Sequence, residues 1–435
     1  MFLFFLRLRR RQSLVLRSWG RFAIASILIG VASLGQAESL PFHDALRLAL
    51  QDAPLVRASE AQTSAARQAA LPAGELPDPK LALGIENLPI EGPDRYSLTA
   101  DFMTMQRIGL MQEFPNAAKR NARMDAASAR IALSKAYEQV AQQTVLRETA
   151  QAWLVRHAVE QQLSVLDELV VENRLFDTAI RAQHAGGKAA ATDVVMPRQE
   201  AAMLAQRRDE LMAKRAAAIA QLRRWLGAAA DEPLAGDMPD WSISREQLIR
   251  RVHQHPELAV FRPKAQILDA EIAEANAAKR PDWALELAYQ KRGPDFGDMV
   301  MVQVSFDLPF FASSRQEPLI AAKQAEQIAL NAESEAFTRE HLAMLESELA
   351  EYQRLQQSET RFTETLLPLA DEKVTLALAG WRAGAGALSD VIAARRERLE
   401  TRLSAIVATS EREQLAARLH FTYDDLSGEF AGVLP

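Results

Sequence analysis

Two aspartates sit in two versions of one short pattern. Gly187-Lys-Ala-Ala-Ala-Thr-Asp-Val carries Asp193, and Gly384-Ala-Gly-Ala-Leu-Ser-Asp-Val carries Asp390, 197 residues later. A carboxylate that follows a glycine-containing break is suited to capping the next helix. The glycines supply the backbone angles that such a turn requires. Lys188 and Arg382 are the cations at the two breaks and are candidates for ion pairs there. Met103, Met105 and Met301 offer soft sulfur donors of the kind that select Cu(I) or Ag(I). Methionine is more often a filler of irregular interior space. The seven histidines are scattered, and His253-x-His255 lacks a partner at metal-site spacing, which favours a structural role. The chain has no P-loop, no H-E-x-x-H and no G-x-S-x-G. With no cysteine it forms neither disulfide nor thiolate site. Nothing in it points to catalysis or to a bound cofactor.

The elements around these residues are themselves repeated. Pro115 and Pro309 each close an apolar run and lie 194 residues apart. Pro77-Asp78 and Pro281-Asp282 each open such a run and lie 204 apart. A period this long exceeds any solenoid unit and indicates a duplicated module. Each module reads helix, strand, strand, very long helix, turn, helix. The first repeat is expected over 38–235, with strands at 79–90 and 96–113, a long helix at 116–185 and a return helix at 193–226. The second is expected over 236–435, with strands at 283–292 and 299–308, a long helix at 314–380 interrupted once at Pro368, and a return helix at 389–426. Ser39 and Ser244 are the expected caps of the opening helices. Residues 228–243 form the expected linker.

The strands alternate strictly. Leu81, Leu83 and Ile85 share one parity, as do Leu98, Phe102, Ile108 and Leu110 in the second run and Val300, Val302, Val304 and Phe306 in the fourth. Period-two patterning of this length matches outer-membrane barrel strands. Four such strands cannot close a barrel, and open edges in lipid leave backbone groups unpaired. Further copies of the chain must complete the sheet. From Asn116 to His184 there is neither Pro nor Gly, enough for a helix of about 100 Å. Arg120, Arg123, Asp125, Arg130 and Lys135 keep that helix out of lipid. Its apolar positions are spread too widely for a single coiled-coil seam, as a helix wedged between two neighbours requires.

The N-terminus reads as a signal peptide over 1–37, with six arginines, an apolar run from Phe22 to Leu34 and small residues before a cleavage site after Ala37. Removing those arginines takes the net charge from −6 to −12. An acidic mature chain disfavours nucleic acid and mildly favours cationic cargo.

In the order and duplication of these elements, and in the paired Gly-x5-Asp-Val stretches, the chain resembles the TolC family of outer-membrane efflux proteins. Pro77-Asp78-Pro79 followed by Leu81-Ala-Leu-Gly-Ile-Glu-Asn-Leu, and Gln112-Glu113-Phe114-Pro115 entering the long helix, resemble its heavy-metal branch, represented by the CzcC and CusC proteins. The resemblance implies an α+β membrane protein: a homotrimer with a 12-stranded outer-membrane β-barrel continued by a periplasmic α-helical barrel. It implies a Gram-negative outer-membrane location, a periplasmic adaptor and an inner-membrane RND pump as partners, and passive export of heavy-metal cations gated at the periplasmic tip. It places Gly187, Thr192, Asp193, Gly384, Ser389 and Asp390 in the two tip turns that close the entrance and meet the adaptor. Lys188 and Arg382 would then pair to hold the gate, and the aspartates would form a cation-attracting ring. A duct for drug efflux or type I secretion shares this fold. A periplasmic adaptor or a coiled-coil structural protein is the further alternative.

Overall fold

The computed structural model describes residues 39–236 and 238–424. The expected signal peptide and the last expected residues of the final helix lie outside them. The chain opens with β1 (Leu40–Pro41), α1 (Phe42–Asp52) and α2 (Pro54–Ala70), then β2 (Lys80–Glu86) and β3 (Met105–Phe114). Next come α3 (Ala117–Ala185), α4 (Ala191–Leu226) and β4 (Leu234–Ala235). The second module runs through α5 (Arg245–Arg251), α6 (Pro256–Ala259), α7 (Phe261–Ala277), β5 (Trp283–Lys291) and β6 (Met299–Phe306). It ends with α8 (Gln316–Arg361), α9 (Leu367–Arg382) and α10 (Leu388–Tyr423).

β2, β3, β5 and β6 form one antiparallel sheet in that order. The register aligns whole rows across it: Leu81, Leu110, Leu287 and Val302, then Leu83, Ile108, Tyr289 and Val300. This face is bare in a single chain, with Leu83 70% and Val300 72% exposed. The opposite face is polar. There the Arg107 guanidinium donates to Glu86 at 2.6 Å and also to Glu286, while Gln290 donates to Glu86 at 2.9 Å.

The second expected strand is much shorter than 96–113. Residues 97–104 fold into turns because short polar side chains capture the backbone. Ser97 Oγ accepts from the amides of Thr99 and Ala100, and Asp101 Oδ1 accepts from Met103 N. The first strand stops at Glu86, where Asn87 takes a positive φ of 55°. The third and fourth strands end close to their expected limits.

Each strand of the sheet is joined to one helix: α2 leads into β2, β3 into α3, α7 into β5 and β6 into α8. The helices therefore keep the strand order, with α2 beside α3, α3 beside α7 and α7 beside α8. At the other end of α3 its neighbours are α4 and α10, and α10 packs on α9. The result is a wall one helix thick. α3 runs through all of it, 69 residues without a break, about 100 Å long. Asn116 caps it, accepting from Lys119 N at 3.0 Å. The same asparagine donates to Asp282 Oδ1 at 2.9 Å, which ties the start of α3 to the start of β5.

The second long helix is divided where Pro368 demands it. Proline cannot donate to the carbonyl four residues back. A π-turn over Phe362–Leu366 absorbs the defect just before α9 begins. Pro54 likewise splits the opening helix into α1 and α2; in the expected run from 244 to 279, His255-Pro256 parts α5 from α6, and α6 parts from α7 at Val260, where Pro263 has no N–H for the Ala259 carbonyl. Ser39 and Ser244 make no side-chain caps: Pro41 precedes α1, and Ser244 Oγ bonds Glu246 instead.

The main core lies at the waist of the wall. Phe42, Trp153, Trp241 and Phe421 stack edge to face there, with Leu46, Leu146, Leu154, Leu222 and Leu345 around them. The expected linker is ordered by this core. β4 pairs in parallel with β1, two residues each, too short for any pattern to show in the sequence. Arg156 on α3 is fully buried, and its guanidinium donates at 2.7 Å to the carbonyls of both Ala230 and Glu232 while pairing with Glu160 at 2.9 Å. Removing it would leave one buried and one part-buried carbonyl unmet. Arg156→Met should therefore cost about 2–5 kcal/mol, and Arg156→Lys, which keeps the charge but not the forked donors, should cost less. Denaturant midpoints read by circular dichroism, in the order wild type, lysine, methionine, are the expected result.

Candidate functional site: two helix-to-helix turns

The two Gly-x5-Asp-Val stretches adopt the same turn. Gly187 and Gly384 take positive φ of 71° and 74°. Lys188 N donates to Gln183 O at 2.8 Å and Gly187 N to His184 O at 2.9 Å. In the second turn Ala385 N donates to Gly380 O at 2.8 Å and Gly384 N to Trp381 O at 3.0 Å. These paired bonds are the Schellman closure, which satisfies the last carbonyls of α3 and α9.

The aspartates are not the first caps of the return helices, as their place after the glycines suggests. α4 and α10 start at Ala191 and Leu388, earlier than expected. The capping positions fall on Ala190 and Ala387, which have no side-chain acceptor. Asp193 and Asp390 stand in the first turn and reach back: their Oδ2 atoms accept from Ala190 N at 3.0 Å and Ala387 N at 3.2 Å. Only the return half of a capping box forms. Thr192 and Ser389 precede them in the same first turns. Gly187, Thr192, Gly384, Ser389 and Asp390 are exposed at the turns, and Asp193 is half-buried. Among the described residues, neither Lys188 nor Arg382 has an acidic partner within the chain. Pro197 lies well inside α4, and its own carbonyl accepts from Asn173 Nδ2 at 2.8 Å.

The earlier start of α4 and α10 leaves a dense ionic seam behind the turns. Arg395 and Arg398 of α10 each reach Glu172 of α3 at 2.8 Å, and Arg402 reaches Glu168 at 3.0 Å. Arg396 reaches Glu200 of α4 at 2.5 Å. Burial pushes the Glu172 carboxyl up, but Arg395 and Arg398 outweigh it and hold the group below the usual glutamate range.

The methionines do not converge. Met103 is in the turn before β3 and outside the sheet. Met105 and Met301 share the polar face, but they are two strands and four residues apart in register, about 16 Å. One cation cannot touch both.

A cluster that sequence spacing did not reveal lies beside the waist core. His255 precedes α6, and His341, from the middle of α8, stacks near it with ring centroids 4.5 Å apart. His341 Nε2 is 3.2 Å from Glu257 Oε2. Burial, then the neighbouring His341, pushes His255 down to about 4, so its imidazole is neutral at ordinary pH. The second histidine stands 86 residues from the first, which hides the pair from any motif.

No protein-family model matches the sequence, and no curated protein matches it. Solved structures do. A membrane protein from Pseudomonas aeruginosa is 18% identical, with a TM-score of 0.75 over 90% of this chain and 92% of the other. The outer membrane protein VceC from Vibrio cholerae is 17% identical, with a TM-score of 0.70 over 88% and 96%. CusC, described in folding and transmembrane channel formation, is 15% identical, with a TM-score of 0.73 over 88% and 92%. The chain has the fold of an outer-membrane channel protein. The similarity is of the same order to VceC and to CusC, so it does not single out a heavy-metal branch.

Two outcomes follow from the turn geometry. A Cβ on Gly187 or Gly384 meets nothing within 4 Å, so Gly187→Ala and Gly384→Ala should cost only the backbone strain, about 1 kcal/mol each. Limited trypsin digestion should then cut faster after Lys188 and Arg382 than in wild type. The Glu172 pairing should fade with acid. Its folded pKa is depressed, so its contribution is complete above the unfolded value of about 4.3 and is lost as pH falls through the folded value. Amide exchange in the last turns of α3 should quicken over that window, and Glu172→Gln should show the fast rate already at pH 7.

Proposed function

We propose that three copies of this chain assemble into the outer-membrane exit duct of a tripartite efflux pump. The observation that carries this is the sheet: four strands with one bare apolar face, unpaired at β2 and β6, each joined to a charged helix. Among the described residues no helix is long and apolar enough to cross a membrane. The apolar strand face is the surface suited to lipid, and neighbouring copies would pair with the two open edges. Three copies give twelve strands, well within the range of membrane barrels. The one-helix-thick wall has open edges too, at α2 and α4 on one side and at α8 and α9 on the other. Leu376 of α9 is 63% exposed and Leu319 of α8 is 62% exposed, apolar positions that a neighbouring copy would cover.

In this reading Gly187, Thr192, Asp193, Gly384, Ser389 and Asp390 form the periplasmic tip. Six turns meet there around the threefold axis, and the adaptor of an inner-membrane RND pump docks on them. Lys188 and Arg382, without an acidic partner among the described residues, would bridge between copies. The aspartates ring the entrance and draw in cations. The cargo class is heavy-metal cations, supported by the acidic mature chain and by the resemblance of the Pro-Asp-Pro and Gln-Glu-Phe-Pro stretches to the metal branch. The chain itself supplies no energy; it is a passive water-filled path.

The barrel is tested by membrane fractionation followed by gel mobility with and without heating. A band in the outer-membrane fraction that shifts from trimer to monomer on boiling is the expected result, and a monomer soluble in plain buffer overturns the proposal. The tip ring is tested in planar bilayers. Asp193→Ala with Asp390→Ala should raise single-channel conductance and weaken block by multivalent cations. Unchanged conductance and block would remove the ring.

A further inference from the structure

We propose that His255, Glu257 and His341 form a binding site for one divalent transition-metal ion of the zinc class, which pins α6 to α8 beside the waist core. One ring nitrogen from each histidine and one Glu257 oxygen all lie within 4.8 Å of one another. Ligands of a tetrahedral ion at about 2.0–2.2 Å are separated by about 3.4 Å. The gathering required is thus at most about 1.4 Å, the scale of a side-chain adjustment.

The chemistry of the donors sets the class of ion. Two imidazoles and a carboxylate suit zinc and its neighbours, whereas calcium and magnesium prefer all-oxygen shells. A second observation points the same way. His255 and His341 are 2% and 6% exposed, and each keeps a buried ring nitrogen without a partner: Nε2 of His255 and Nδ1 of His341. Thr422 Oγ1 and Tyr423 OH, equally buried and unmet, line the same groove of about 400 Å³. Four orphaned polar atoms around one groove are costly unless something polar occupies it.

The local field favours a cation. Glu148, Glu257, Glu340 and Glu348 border the groove against Arg147 and Arg418. Arg418 is engaged with Glu348 at 2.9 Å and Arg147 with Glu148 at 3.3 Å, so Glu257 is not bound by either guanidinium. Loading exchanges the 3.2 Å pairing of His341 with Glu257 for bonds to the ion and costs one further contact. His255 Nδ1 now accepts from Glu257 N at 3.2 Å. A metal on Nε2 shifts the ring proton to Nδ1 and gives up that long hydrogen bond. Three protein ligands would leave a fourth position for water. The site lies at the waist, away from the tip turns, and does not depend on what the duct exports.

The experiment uses the tag-free full-length chain in detergent, stripped with chelator and dialysed against Zn²⁺ at pH 7.5. Elemental analysis should find roughly one zinc per chain. His255→Gln and His341→Gln should each weaken binding by at least about tenfold, while His253→Gln should not. Co²⁺ added to the wild-type chain should give the intense visible absorption of a four-coordinate nitrogen and oxygen site, and Zn²⁺ should abolish it. This second readout stands if the glutamine variants do not fold. No retained zinc, no cobalt band displaced by zinc, or zinc binding indifferent to His341→Gln overturns the proposal.

Discussion

The structure depends on one unmet demand: a four-stranded sheet that ends in open backbone on both sides. Among the described residues the outward edges of β2 and β6 pair with no further strand, and the apolar rows from Leu81 to Val302 and from Leu83 to Val300 have no cover. In the proposed assembly, copies of the chain would supply the missing edges. Because each strand is joined to a helix, the order of the strands dictates the order of the helices. An open sheet thereby becomes an open wall.

The waist holds the wall together in a different way. Around Trp153 the helices and the short β1–β4 pair bury aromatic and leucine side chains with little polar content. Arg156 is one exception, with Nη1 and Nη2 donating to the turn it clamps and Nε to Glu160. Duplication makes this economical. Two copies of one module supply the helices that flank α3 near the sheet, and the same two copies supply the two turns at the far end.

Much of this was legible in the sequence, for reasons that can be named. Strict alternation marked β5 and β6 almost to the residue, because nothing in those runs competes with the ladder. The unbroken stretch after Asn116 marked α3, since it holds no residue that stops a helix. The readings went astray where a side chain intervened locally. Ser97 and Asp101 fold the start of the second strand into turns by capturing amides. Ala190 and Ala387 take the capping positions that the aspartates were expected to hold. The histidine cluster was invisible for another reason. His341 reaches His255 only because α8 passes α6 in space, and no spacing along the chain encodes that crossing. The pairing of two-residue β1 with β4 is likewise a product of the core and carries no pattern of its own.

The arginines of α10 give the wall a gradient of stiffness. At the waist, α3 and α10 are joined by dry apolar contact that dissolved salt does not reach. Beyond it they are joined by guanidinium–carboxylate pairs that are partly wetted and therefore screened. A rod built this way flexes at its ionic end and stays rigid at its greasy one. Rising ionic strength should loosen α10 from α3 at the ionic end and leave the apolar contact at the waist unchanged.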